Sequence, residues 1–202
     1  MNGYIRRFFS WVFHPIFMPL VGCLVVWYAY PSIVYLMQKP ERILLGGILL
    51  LNTILIPGLA TFYLARKKII SSLQLREKNE RRLPFLITAA SHITACYLMR
   101  IFFLPKDFYL VILGAAAASF IALIVNYKWK ISIHMVGMGG ITGITASLMP
   151  VSSNDLSYLL MLQIILSGIV GAVRIAGHEH SSEQIYTGFA LGFFCEFLIL
   201  NL

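Results

Sequence analysis

The stretch VRIAGHEHSSEQIYTGFALG, Val173 to Gly192, crowds Arg174, His178, Glu179, His180, Glu183 and Gln184 between two apolar runs. Two other polar clusters share its chemistry: REKNERRLP, Arg76 to Pro84, and KWKISIH, Lys128 to His134. Together they offer the cations Arg76, Lys78, Arg81, Arg82, Lys130 and Arg174 around two histidines, His134 and His180. Cationic donors around a histidine pair suit an anionic ligand with several oxygens, such as a phosphate. One histidine can attack phosphorus while the other protonates the leaving oxygen. Each cluster also has a plainer reading. REKNERR fits a solvated basic loop, or a short surface helix with local charge pairs. His134 fits a helix-end histidine. His178 and His180 lack further ligands at zinc-type spacing, so no metal and no other cofactor is expected.

These residues must be positioned by something other than a soluble core. The chain is 202 residues long, 59% hydrophobic and 12% charged, with a mean hydropathy of +0.81. Soluble domains carry roughly 25% charged residues. Most of the surface must therefore face lipid. The apolar runs are long and unbroken, which argues for helices rather than the alternating strands of a membrane barrel. At about 20 residues per crossing, the chain reads as one all-α integral membrane domain over 1–202, with about six to seven transmembrane helices in one bundle. Net charge is +8, which on such a chain reflects loops and anionic headgroups rather than nucleic acid. Cys23, Cys96 and Cys195 all sit in apolar runs without metal or redox spacing, and read as small core residues.

The N-terminal MNGYIRRFFSWVF begins like a signal peptide but runs on without a small-residue cleavage site, so it is expected to stay as the first span. His14, Pro15 and Pro19 should break its helix. The other spans are expected near 43–65, 84–104, 107–127, 131–149, 157–174 and 184–201. The fifth of the seven is rich in glycine, as in helices that pack closely. Within the third, Arg100 is expected to snorkel or face inward, and His92 to be structural. Alternating the spans puts all three polar clusters on the N-terminal side, with most of the basic residues. By the positive-inside rule that side is cytoplasmic.

The third cluster resembles the third motif of the type 2 phosphatidic acid phosphatase superfamily, Ser-Arg, five residues, His, three residues, Asp. Arg174 and His180 keep that spacing, and Gly188 and Gly192 fall where the family commonly has glycines. Val173 replaces the Ser and Gln184 the Asp. ISIH is similar to the second motif, Pro-Ser-Gly-His, keeping Ser132 and His134. REKNERRLP resembles the first motif, Lys, six residues, Arg-Pro, in composition but not in register. The resemblance covers about 76–192.

The resemblance implies a metal-independent membrane phosphatase acting on a phosphatidate-like or polyprenyl phosphate or diphosphate. His180 would take the phosphoryl group and His134 protonate the leaving oxygen. Arg174, with Arg76, Lys78, Arg81 or Arg82, would hold the phosphate oxygens, and Ser132 would add a hydrogen bond. In the family the Asp orients the nucleophilic histidine. Here Gln184 takes that place, with Glu179 or Glu183 as neighbours able to supply charge. Ser181 and Gln184 also fit a capping box at the start of the last span. Two other readings stay open: a non-catalytic relative that binds a phosphorylated lipid or a protein partner, and a small transporter. The resemblance implies a bacterial inner membrane. Family members there that act on envelope lipids usually face away from the cytoplasm, against the charge bias of this chain.

Overall fold

The computed structural model describes residues 3–202 except Gln74 and Arg76, and only the backbone of Ile5. Every regular element among them is helical. Ten α-helices follow in chain order: α1 (Gly3–Val12), α2 (Met18–Ala29), α3 (Pro31–Leu36), α4 (Lys39–Leu49), α5 (Ile56–Arg66), α6 (Arg82–Ile101), α7 (Lys106–Lys128), α8 (Ile133–Leu148), α9 (Ser157–Ala176) and α10 (Ser182–Leu200). Five stretches are long and apolar enough to cross a membrane: Arg6–Ala29, Lys39–Arg66, Lys106–Lys128, Ser157–Ala176 and Ser182–Leu200. The expected third and fifth spans are also helices, but α8 has only 16 residues and α6 is not among the five. The protein is a helical integral membrane protein on this length and composition.

Each irregularity has a local cause. The first span breaks at His14, whose extended backbone lets its Nδ1 accept from the Ile16 N–H at 3.3 Å before the short 3-10 turn Pro15–Phe17. Between α4 and α5 the helix widens into a π segment, Leu50–Leu55. Pro57 stands just beyond it and has no N–H to give the preceding turn. The side chains of Asn52 and Thr53 donate back to the Ile48 and Leu49 carbonyls, at 3.1 and 2.8 Å. Ser91 of α6 donates to the Asn52 carbonyl at 2.7 Å and ties the widened turn to the bundle.

The centre of the bundle is the contact between α8 and α10, and glycines make it. A Cβ at Gly139 or Gly143 would strike the Phe189 or Phe193 backbone of α10, and one at Gly192 the Val136 carbonyl of α8. At Gly188 it would lie 2.7 Å from the Ser132 carbonyl oxygen. Small residues on both faces let the two backbones touch. The glycine-rich α8 is thus a packing helix. The contact continues to the helix starts, where the Ser132 N–H donates to the Gln184 carbonyl at 3.3 Å. The KWKISIH segment and the start of α10 therefore meet.

At the opposite end, Ser153 and Asn154 cover the α2 terminus by bonding the Ala29 and Tyr28 carbonyls. Arg100 is exposed there and lies over the Tyr109 ring, 5.8 Å from its centroid. His92 is buried on α6. The three cysteines are free thiols, Cys23 and Cys96 buried. One buried acid escaped the sequence reading. Glu196 of α10 is 3% exposed and lies against Gly114 of α7 and Gly140 of α8.

Candidate functional site

The end of the molecule that carries residue 10, the 67–81 loop, the 129–132 turn and the 177–181 loop holds the polar clusters. His180 and Arg174 are both buried, at 7% and 8% exposure. Arg174 sits in the last turn of α9, and His180 precedes the Ser181 N-cap of α10. The loop between them turns at His178, which takes a left-handed φ of 54°. This conformation is uncommon outside glycine. It closes the C-terminus of α9, with the His178 N–H bonded to the Ile175 carbonyl at 2.9 Å. His178 itself is exposed.

Gln184 has two tasks. Its backbone N–H and side chain complete a capping box with Ser181. Its Oε1 also lies 2.9 Å from His180 Nδ1 and 3.3 Å from the Ser181 N–H. A backbone N–H only donates, so the atom it meets is the amide oxygen and not the nitrogen. An amide oxygen only accepts, so His180 Nδ1 carries the hydrogen. The other ring nitrogen, Nε2, then bears the lone pair. It is buried and has no protein partner. The helix cap thereby fixes the histidine tautomer.

Three cations, Arg81, Arg174 and Lys130, lie within electrostatic reach of this ring. Burial pushes the His180 imidazole down to about 4; the Gln184 bond opposes this, while the three cations add to it. It is neutral at pH 7. Lys130 is lowered too, by burial first and then by Arg81. Arg81 is anchored, its Nε donating to the Leu75 carbonyl at 2.7 Å and its Nη1 to the Ile131 carbonyl at 3.0 Å.

Arg174 is held from two sides. Nη1 donates to Ser10 Oγ at 2.9 Å, and Nη2 pairs with the Glu179 carboxylate. Its Nε is buried without a protein partner. His134, in the first turn of α8, lies within electrostatic reach of Arg174 and His180. Its Nε2 is 3.3 Å from the Ser10 carbonyl, so that nitrogen carries the hydrogen. Its Nδ1 is buried and unpartnered, as is the hydroxyl of Ser132 beside it in sequence.

The other expected residues that the structure describes make other contacts. Lys78 donates to the Tyr127 and Lys128 carbonyls at the end of α7, at 3.1 and 3.4 Å. Arg82 is exposed, bonded to Asn79 and stacked 4.4 Å over the Tyr127 ring. Arg76 lies outside the described residues. Glu183 is exposed, and its carbonyl accepts from Thr187. Glu179 faces Arg174 rather than orienting His180, because the turn at His178 directs it back toward α9.

Ser10 of α1 and His14 of the break that follows join the site unannounced. Ser10 touches both Arg174 and His134. The His14 ring packs edge-on against His134 with centroids 5.7 Å apart. The only signal for them in the sequence was the HP break, which ends α1 over the site. Among the described residues no group of three or more His, Cys, Asp or Glu side chains has the arrangement of a metal site. The cations within reach of one another, Arg174, Arg81 and Lys130, suit an anion, and His180 Nε2 beside them offers a lone pair. No family model, curated protein or solved structure matches this chain.

Proposed function

We propose that this protein is an integral membrane phosphatase that hydrolyses the phosphoester of a phosphorylated lipid through a phosphohistidine on His180, in a bundle of six to seven spans like that of the type 2 phosphatidic acid phosphatases. One observation carries the reading: a buried, unprotonated His180 Nε2 sits among Arg174, Arg81 and Lys130, with a second histidine within electrostatic reach. Phosphoryl transfer needs chiefly positioning and neutralised charge, and this set supplies both. The Nε2 lone pair attacks phosphorus while the bond to the lipid oxygen breaks. His134 first takes the acidic proton of the bound phosphate monoanion at Nδ1, and the resulting imidazolium gives its Nε2 proton to the leaving oxygen. Water then attacks the phosphohistidine, His134 recovers a proton from it, and phosphate leaves. For the first transfer the substrate oxygen replaces the Ser10 carbonyl as partner of the His134 Nε2–H.

The site lies on the side that gathers the N-terminal, 66–68 and 78–82 basic residues, so the same reading puts it on the cytoplasmic face of a bacterial inner membrane. A second reading has a specific basis. Gln184 orients His180 but brings no charge to stabilise its cationic form, as in a relative that binds a phosphorylated lipid without turnover. Phosphate release from a panel of lipid phosphates by the purified protein separates the two. Release that His180→Ala and Arg174→Ala both abolish supports the enzyme. Binding of the same lipids without release supports the non-catalytic relative. Release that survives His180→Ala removes the nucleophile assignment.

A further inference from the structure

We propose that Glu179 is a built-in competitor for the phosphoryl group, a carboxylate that occupies the cation cradle until a phosphate displaces it. The inference rests on the phosphate-binding reading above and assigns a task to a residue that the reading does not use. Glu179 pairs directly with Arg174 Nη2. It also lies within electrostatic reach of Arg81 and Lys130. These are the same three cations that lie within electrostatic reach of His180. Glu77 also reaches Lys130, but Glu179 is the carboxylate that pairs with Arg174, and its two oxygens on an sp² carbon make a fair stand-in for two oxygens of a phosphate.

The occupancy has an electrostatic consequence. With Nη2 on Glu179 and Nη1 on Ser10, Arg174 has only Nε without a protein partner. Two of the five guanidinium N–H groups are thus engaged, and a phosphate that draws on the rest must share the positive charge with the Glu179 carboxylate. Glu179 is placed to leave: its side chain is 38% exposed, against 10% for Arg174. It sits in a short loop after the left-handed His178 and directly before His180. Displacing the carboxylate thus frees the arginine beside the nucleophile, and an anion that cannot outbid Glu179 is refused.

The test is binding by the full-length protein in lipid nanodiscs, with two probes: orthophosphate and short-chain dioctanoyl phosphatidate. Glu179→Gln and Glu179→Ala should each tighten both probes by about tenfold, the weight of one charge-assisted hydrogen bond. The factor should be the same for free and lipid phosphate, because the competition is at the phosphoryl group. Unchanged or weaker binding in both variants overturns the proposal and makes Glu179 a residue that positions Arg174. Tightening for the lipid alone also overturns it, since the effect then lies at the lipid chains. Arg174→Ala separates the two levels of argument. If wild type binds and Arg174→Ala does not, the phosphate site stands whatever Glu179 does. If wild type and all variants fail to bind either probe, the phosphate reading falls and this proposal with it.

Discussion

Gln184 Oε1 meets His180 Nδ1 at 2.9 Å while accepting from the Ser181 N–H at 3.3 Å. A single amide oxygen caps α10 and sets the tautomer of the buried histidine. An aspartate in its place would do the second task with a charge. Removing that charge from the analogous aspartate of serine-protease triads costs about 10⁴ in kcat. The neutral amide therefore keeps orientation and gives up stabilisation of the cationic ring.

That division predicts the behaviour of two variants. Gln184→Glu keeps the reach and adds charge, and should raise kcat by about 10–10³-fold, within the span set by the triad comparison. Gln184→Leu removes the acceptor, should lower kcat, and should destabilise α10 by about 1 kcal/mol through the lost cap. Phosphate-release kinetics and thermal unfolding measure the two effects separately. A Gln184→Glu variant with unchanged kcat but normal stability would leave the residue with capping alone.

The protonation of His180 fixes a pH window. Its imidazole titrates at about 4 in the folded protein, against 6.5 when unperturbed. The acid limb of kcat/KM assigned to the nucleophile should fall near pH 4 rather than 6.5. Stability follows the same shift. Between pH 6.5 and 4 the unfolded chain binds more protons at this site than the folded one, so this residue makes stability fall as pH drops through that window. Below about 4 both states are protonated and the dependence from His180 ends. A kinetic profile and a denaturation series from about pH 3.5 to about pH 7.5, spanning both the folded and the unperturbed values, test both statements.

Two neighbouring arginines should behave differently on substitution. Arg81→Ala strips two buried carbonyls of a charged donor and should cost about 2–3 kcal/mol in stability, along with phosphate affinity. Arg82→Ala loses an exposed stack on Tyr127 and should cost about 0.5–1 kcal/mol, with phosphate binding intact. Chemical denaturation and orthophosphate titration of both variants read the contrast. Equal loss of binding in the two would contradict the placement of Arg81 in the site and of Arg82 outside it.

The contact between α8 and α10 has no room for a methyl group. Gly192→Ala would drive a side chain into the Val136 carbonyl, and should cost about 1–3 kcal/mol as an overpacked core. It should also disturb the Ser132–Gln184 backbone bond that joins the two helix starts. Gly168→Ala on α9, where nothing lies within 4 Å of an added Cβ, should be tolerated. Thermal unfolding in detergent of the two alanine variants compares them directly.

Much of this architecture was legible because lipid imposes simple demands. A long apolar run must satisfy its own backbone hydrogen bonds, so it must be a helix. Proline and capping residues act within a turn or two, so the break at His14 and the Ser181–Gln184 cap could be read from local spelling. Alternation of the runs brings Arg174, His180, His134 and Arg81 to one end without knowledge of packing. What stayed hidden depended on contacts distant in sequence. Glycine spacing did not reveal that α8 and α10 touch backbone to backbone, nor that the widened turn at Leu50–Leu55 is tied down by Ser91. A stretch of basic residues could not say which cations turn inward. That was decided by carbonyl partners, at Leu75 and Ile131 for Arg81 and at the end of α7 for Lys78. Nor could it show that Ser10 and His14 close over the site or that Glu179 claims Arg174. The sequence by itself determined the helical class, the long helices and the end of the molecule at which the polar residues gather, because these follow from burial and local hydrogen bonding. Only the tertiary structure decided which of those residues meet, because a side chain's partner is set by helix rotation and close packing rather than by its neighbours along the chain.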